Sequence, residues 1–297
     1  MSATTLPSPA EATEPAVRRP AGASLPRRWV RNPSALIGGI IVAVILAAAL
    51  VSLVWTPYDP LGIAPSLALK GPSGGHVLGT DEYGRDVLSR LMAGSRITTY
   101  ASVAAVLIGL VVGVPAGLVA AVRGGVISEI IMRTADILFA FPALLAAIAM
   151  TAALGASTTV AMVSIGIAFI PQFARVTRSA ALGVIGSEFV LAARTYGRRR
   201  LAIVRRHVLP NIAAVILVQA TLMLSLAILT ESALDYLGLG TAPPTASWGQ
   251  MLSTGQNYIS VDLGLEIWPA LTVFVAVLGF NLLSDGLREV LDPRLRR

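Results

Sequence analysis

Residues 137–174 run for 38 amino acids without a charge. At about 1.5 Å per helical residue, such a run is close to twice the thickness of a bilayer's hydrocarbon core, so it must double back. Residues 155–159, Gly-Ala-Ser-Thr-Thr, supply the turn, which predicts spans near 134–154 and 158–177. Four more uncharged runs, at 32–58, 97–122, 208–230 and 267–284, are long enough to cross a membrane. The expected fold is therefore all-α: a polytopic membrane protein with six transmembrane helices. Only 13% of the 297 residues are charged against 55% hydrophobic, too few polar residues to cover a soluble globule.

Between the spans, composition sets the expected domain limits. Residues 1–26 are rich in Ala, Pro, Ser, Thr and Glu without periodicity, which predicts a disordered tail reaching residue 31. The first span is expected at 34–56. Its apolar run exceeds the roughly 7 to 15 residues of a signal-peptide core, which argues against cleavage. A proline-rich, irregular segment follows at 57–96, then a core of five helices at 97–290 containing a polar loop at 183–210, then a short tail at 291–297. Gly109, Gly113 and Gly117 recur every four residues, a spacing that lets helices approach closely, and Pro115 is expected to kink that helix.

Six spans place both termini on one side. That side holds 19 of the 23 lysines and arginines, and the positive-inside rule makes it cytoplasmic. The net charge of +7 thus serves orientation and contact with anionic lipid headgroups, not nucleic acid. Without cysteine there is no disulfide or thiolate chemistry, and two histidines argue against a metal-ion path. The one lysine, Lys70, is followed by Gly71-Pro72, so the chain has no P-loop and no catalytic nucleotide site. Any ATP and Mg would be held by a separate polypeptide, with no cofactor in this one.

The longest polar interruption in the second half is EFVLAARTYGRRRLAIVRRHVLPN, residues 188–211, with six arginines and a histidine. Its apolar residues recur at the spacing of a short amphipathic helix. Gly197 divides it, at a place where a helix C-cap wants a left-handed backbone, and Leu209-Pro210 is expected to begin a new element. A second polar motif, GTDEYGRDVLSR at 79–90, allows Thr80 to cap a short, self-neutralising surface helix. A third, LGLGTAPPTASWGQML at 237–252, offers Trp248 as an interfacial anchor.

These motifs carry a resemblance. Ala192-Ala193, Gly197, then Arg206-His207-Val208-Leu209-Pro210 resemble the cytoplasmic coupling loop of permease subunits of binding-protein-dependent ABC importers. Where that family has a glutamate this chain has Leu191, with Glu188 one turn earlier. Gly79, Thr80, Asp81, Gly84, Arg85 and Asp86, together with Trp248-Gly249, resemble extracytoplasmic segments of the C-type subunit of dipeptide and oligopeptide permeases. The resemblance implies a type I ABC importer permease fold and ATPase coupling through residues 188–210. It also implies a bacterial plasma-membrane complex with a second permease subunit, ABC ATPase subunits or domains and an extracytoplasmic solute-binding protein. The implied cargo is di- or oligopeptides, with nickel chelates or glutathione as the alternative.

A secondary transporter is the rival from another class, and would want ionisable groups at mid-membrane depth. The candidates Asp136, Glu231 and Asp285 fall near predicted span ends, where a helix cap or interfacial pair is expected. A membrane-embedded enzyme would need a nucleophile with a base partner or a metal pattern in the spans, and the sequence has neither. Gln172, Gln219 and Asn281 are expected to hydrogen-bond neighbouring helices.

Overall fold

The computed structural model describes Trp29 and residues 32–291. The tails expected at either end, residues 1–31 apart from Trp29 and residues 292–297, lie outside the described residues. Five helices are long and apolar enough to cross a membrane, six if one bent pair is counted as a single span.

Helix α1 (Pro33–Val51) starts where Asn32 accepts the Ala35 N–H and Pro33 fills a first-turn position that needs no donor. It is shorter than the expected 34–56 because the chain turns at residues 52–54. Helix α2 (Val87–Arg123) begins ten residues before its uncharged run, capped by Asp86, which accepts the Ser89 N–H at 2.8 Å. Its first turns can carry Arg90 because that side chain is buried against Asp81 and needs no water. Helicity is unbroken through Pro115.

The third crossing departs most from expectation. It consists of α3 (Gly125–Ala140) and α4 (Ala143–Leu154), bent by 79°. Pro142 is the cause: it has no N–H to donate and pushes Phe141 out of the helical region, to φ −89, ψ 126. The chain then turns at Gly155, φ +95, and α5 (Thr158–Ile185) returns, capped by Ser157, as the hairpin expectation required.

After α6 (Glu188–Thr195) and the short α7 (Arg200–Ile203), a π turn (Val204–Val208) leads into α8 (Leu209–Tyr236). Leu209-Pro210 begins α8 as expected, although the π turn joins it to α7 so that residues 200–236 count as one membrane-length helix. Leu209 is helical, at φ −57, ψ −45, although a proline follows it. The wider π turn accommodates Pro210, and the Asn211 amide donates to the His207 carbonyl at 2.6 Å. Helices α9 (Trp248–Gly255) and α10 (Gly264–Leu291) complete the chain.

Helices α2, α5 and α8 form the centre, and α10 joins α8 to α1. The glycine spacing in α2 is used in full. A Cβ at Gly109 would sit 2.8 Å from the Phe169 Cβ, and one at Gly113 would sit 2.6 Å from the Ile170 carbonyl oxygen; Gly117 lies against Ala174 and Thr177. Helix α1 docks on α10 the same way, Gly38 against the Leu283 backbone and Gly286 against Ala35. Asn281 ties α10 to α8 by accepting the Ser225 hydroxyl at 3.2 Å, as expected of a polar side chain in a span.

Candidate functional site

Two groups of sequence-selected residues occupy opposite ends of the helix bundle. At one end, α6 hangs from the bundle by Val190, which is fully buried with Ile203, Val208, Ile212, Ala121 and Ala181. That single anchor leaves Phe189, Leu191, Ala192 and Tyr196 exposed, the last at 88%, with Ala193 half-buried. Glu188 stands in the first turn, where an acidic residue suits the helix dipole. The Phe189 and His207 rings lie 6.2 Å apart, so His207 and the preceding Arg206 are held beside the helix; Leu209 and Pro210 are exposed just beyond.

Gly197 closes α6 with two hydrogen bonds: its own N–H reaches the Arg194 carbonyl at 2.9 Å and the Arg198 N–H reaches that of Ala193 at 3.3 Å. This is a Schellman cap, which needs the positive φ of +71 that Gly197 adopts. No atom lies within 4 Å of where a Cβ would stand. The requirement for glycine is therefore conformational, together with the access that a bare backbone gives to an approaching surface.

At the other end, the 79–86 motif is not a surface helix and Thr80 caps nothing. Thr80 and Asp86 pair across an isolated β-bridge, and the Thr80 hydroxyl donates to the Leu67 carbonyl. Gly79 and Gly84 turn the chain at φ +82 and +76, and Gly84 packs directly on the Ala64 backbone. The charges face inward because they are paired. Asp81 accepts Arg85 Nε at 2.6 Å, lies 3.3 Å from Arg90 Nε, and takes the Tyr83 and Arg85 amides at 2.9 Å. Arg85 also reaches Glu82 at 3.1 Å, whose carboxyl is pushed up by burial, a backbone hydrogen bond partly offsetting it.

Arg90 links this cluster to the third motif, with Nη2 donating to Gln250 Oε1 at 3.3 Å and Nη1 to the Pro60 carbonyl at 3.2 Å. Trp248 is not an interfacial anchor. It is 1% exposed and donates its indole N–H to the Leu91 carbonyl at 3.1 Å, while Gly249 lies against the Ser232 carbonyl of α8. Asp235 takes the Thr241 amide at 2.7 Å, fixing the loop that leads to Trp248. Sequence reasoning missed Gln250, whose adjacency to Trp248-Gly249 was the available signal, and His76, which meets Asp86 at 2.9 Å and stacks on Tyr58.

The structure thus joins residues 79–86 to 248–249 and keeps both apart from 188–210. Asp136 pairs with Arg175 at 2.7 Å, as an interfacial pair should. Glu231 does neither of the things expected of it. It is 1% exposed, a turn and more inside α8, with the Thr98 and Ser232 hydroxyls at 3.5 Å. Asp285 is likewise inside α10, on an exposed face.

Residues 113–297 match the protein family described as binding-protein-dependent transport system inner membrane component. The chain belongs to that family. Residues 26–72 of this permease also match the N-terminal TM domain of oligopeptide transport permease C. The permease is 38% identical over 271 residues, 91% of its length and 90% of the relative's, to the glutathione transport system permease protein GsiD of Pectobacterium atrosepticum. It is equally 38% identical over 266 residues, 90% and 88% of the two lengths, to the dipeptide transport system permease protein DppC of Alkalihalophilus pseudofirmus. Chains of the MetNI methionine ABC transporter in inward-facing conformations superpose with a TM-score of 0.57 at 19% identity, over 68% of this permease and 96% of theirs. They share its fold.

Proposed function

We propose that this permease forms one half of a path through which an ATP-driven importer carries di- or oligopeptides into a bacterial cell. In this assembly a second permease subunit supplies the other half, and ABC ATPase subunits or domains hold ATP and Mg and press on α6. An extracytoplasmic solute-binding protein delivers cargo to the end built from residues 79–86 and 248–249. The observation that carries the proposal is α6 itself. It is a helix outside the spans, fastened by one buried side chain and capped by Gly197, with its remaining apolar residues uncovered. An exposed apolar face flanked by arginines fits a protein partner better than water.

Gly197→Asp tests the coupling role. An L-residue in the left-handed region costs about 1 kcal/mol, paid locally because the site has open space around it. We expect normal membrane insertion and co-purification with the ATPase. Uptake should fall about tenfold or more, equivalent to about 1.4 kcal/mol on the rate-limiting barrier. Undiminished uptake would refute the role.

The basic-residue asymmetry supports cytoplasmic termini and coupling region. With a cysteine-free chain, single substitutions can test it. Thr245→Cys, in the exposed loop before α9, is expected to react with a membrane-impermeant reagent on intact cells, and Arg199→Cys is not. The reverse pattern inverts the topology. A second cargo reading, glutathione, is favoured by the 38% identity to a glutathione system permease; uptake of glutathione and of dipeptides by the same complex separates the two.

A further inference from the structure

Arg198, Arg199 and Arg200 follow the Gly197 cap in unbroken sequence, and all three are exposed. Among the described residues none of them makes an ion pair, and Glu188 is the one acidic residue in the stretch 188–211. Their placement is unfavourable locally as well. Arg199 is the N-cap and Arg200 the first residue of α7, where the membrane-length helix of residues 200–236 begins, and the positive end of a helix dipole disfavours cations. Arg194, Arg205 and Arg206, also exposed, add to the same field. Like charges crowded in this way repel one another, and an anionic surface outside the chain is what relieves them.

Lipid headgroups are one such surface and a protein partner is another, and α6 favours the protein. A helix that lies on a membrane presents a continuous apolar face to it. The side of α6 turned away from its buried anchor Val190 carries Glu188, Ala192 and Thr195 at i, i+4 and i+7, all exposed. A carboxylate, a methyl and a hydroxyl make a narrow, mixed strip that suits a fitted protein groove, and anionic lipid would repel the carboxylate. We propose that the ABC ATPase presents a cluster of carboxylates to Arg198, Arg199 and Arg200, which draws it to α6 and excludes an ATPase that lacks the cluster. This rests on the ATPase coupling proposed above. Exposed charges at the rim of an interface act chiefly on the association rate and its salt dependence, so that is where the pairing shows.

The test uses the permease with its second permease subunit in nanodiscs of phosphatidylcholine, which carries no net charge, and the ATPase subunits that co-purify with the parent complex. We expect association with the parent to slow at least about tenfold between about 50 mM and about 500 mM potassium chloride. The combined variant Arg198→Glu/Arg199→Glu/Arg200→Glu should associate about tenfold or more slowly than the parent at the lower salt and lose most of the salt dependence. The corresponding triple glutamine variant should fall between the two, and gives the same reading if the glutamate variant does not assemble. Arg133→Gln, which removes a charge from the exposed Glu129–Arg133 pair on α3, should associate like the parent. One rate for all four proteins, unchanged by salt, overturns the carboxylate cluster and leaves docking on α6 standing. A salt dependence that appears only when phosphatidylglycerol is added to the nanodiscs assigns the arginines to lipid and overturns it as well. If no ATPase co-purifies with the parent or binds it at either salt, the coupling function fails and the cluster with it.

Discussion

Asp81→Ala is expected to destabilise the end of the bundle built on residues 79–90 by about 3–5 kcal/mol, the usual result of removing one partner from a buried ion pair. Arg85 and Arg90 are 7% and 2% exposed, and Asp81 is the carboxylate that both of them contact. Without it, Arg85 retains Glu82, and Arg90 retains only the Pro60 carbonyl and the Gln250 amide. The two amides at Tyr83 and Arg85 lose their acceptor as well. Asp81→Asn keeps a carbonyl in nearly the same place and should lose less. Thermal unfolding of the purified complex measures both. Equal melting temperatures for the alanine variant and the parent would show that the cluster contributes nothing to stability.

The second large effect is expected at Gly113. A Cβ there would lie 2.6 Å from both the Ile170 carbonyl oxygen and the Phe173 Cβ, and neither is the end of a flexible chain. Overfilling a packed core costs typically about 1–3 kcal/mol, and Gly113→Leu should reach the top of that range or exceed it, because relief requires α2 and α5 to separate. Gly113→Ala should be milder in effect and the same in sign. Gly124→Ala serves as a control for added bulk alone, since a Cβ there has no atom within 4 Å, although its φ of +61 carries a backbone cost of its own. Yield of the folded complex and its melting temperature are the measurements. A leucine variant as stable as the parent would mean that the α2–α5 seam is looser than described.

The parts of the fold that follow from periodicity and charge were legible in the sequence. Five membrane-length helices, the hairpin at Gly155 and the glycine seam all depend on properties of a run of residues, and each overlaps the run that predicts it. What escaped depends on partners distant in sequence. Arg90 marked a polar segment until Asp81 and Gln250 were seen to enclose it, and only then could α2 begin at Val87. Trp248 and Glu231 were misplaced for the same reason, since burial beside Leu91 or Thr98 leaves no trace in local composition. The break at Pro142 is the exception. Its signal is local, a proline inside a run whose lack of charge alone would suit an unbroken helix.

The same reasoning placed the glycine at the end of α6 correctly. Gly197 is a local requirement, a left-handed residue after a short helix, and such requirements can be read from a few neighbours. Which surface α6 meets is a property of a second molecule. That is why the helix end at Gly197 is legible from its neighbours, while the cluster around Asp81 is assembled from three separated segments.

Residues 200–236 form one membrane-length helix, about 55 Å long at the ordinary rise, with a single π turn near its N-terminal end. Mechanically this is a rod with its one compliant collar at one end. One end carries His207 beside Phe189, and the other carries Asp235, which grips the loop leading to Trp248. Bending concentrated in the collar changes the angle of the rod without shortening it. A tilt imposed at residues 200–208 would therefore arrive at Asp235 as a sideways displacement magnified by the length between them.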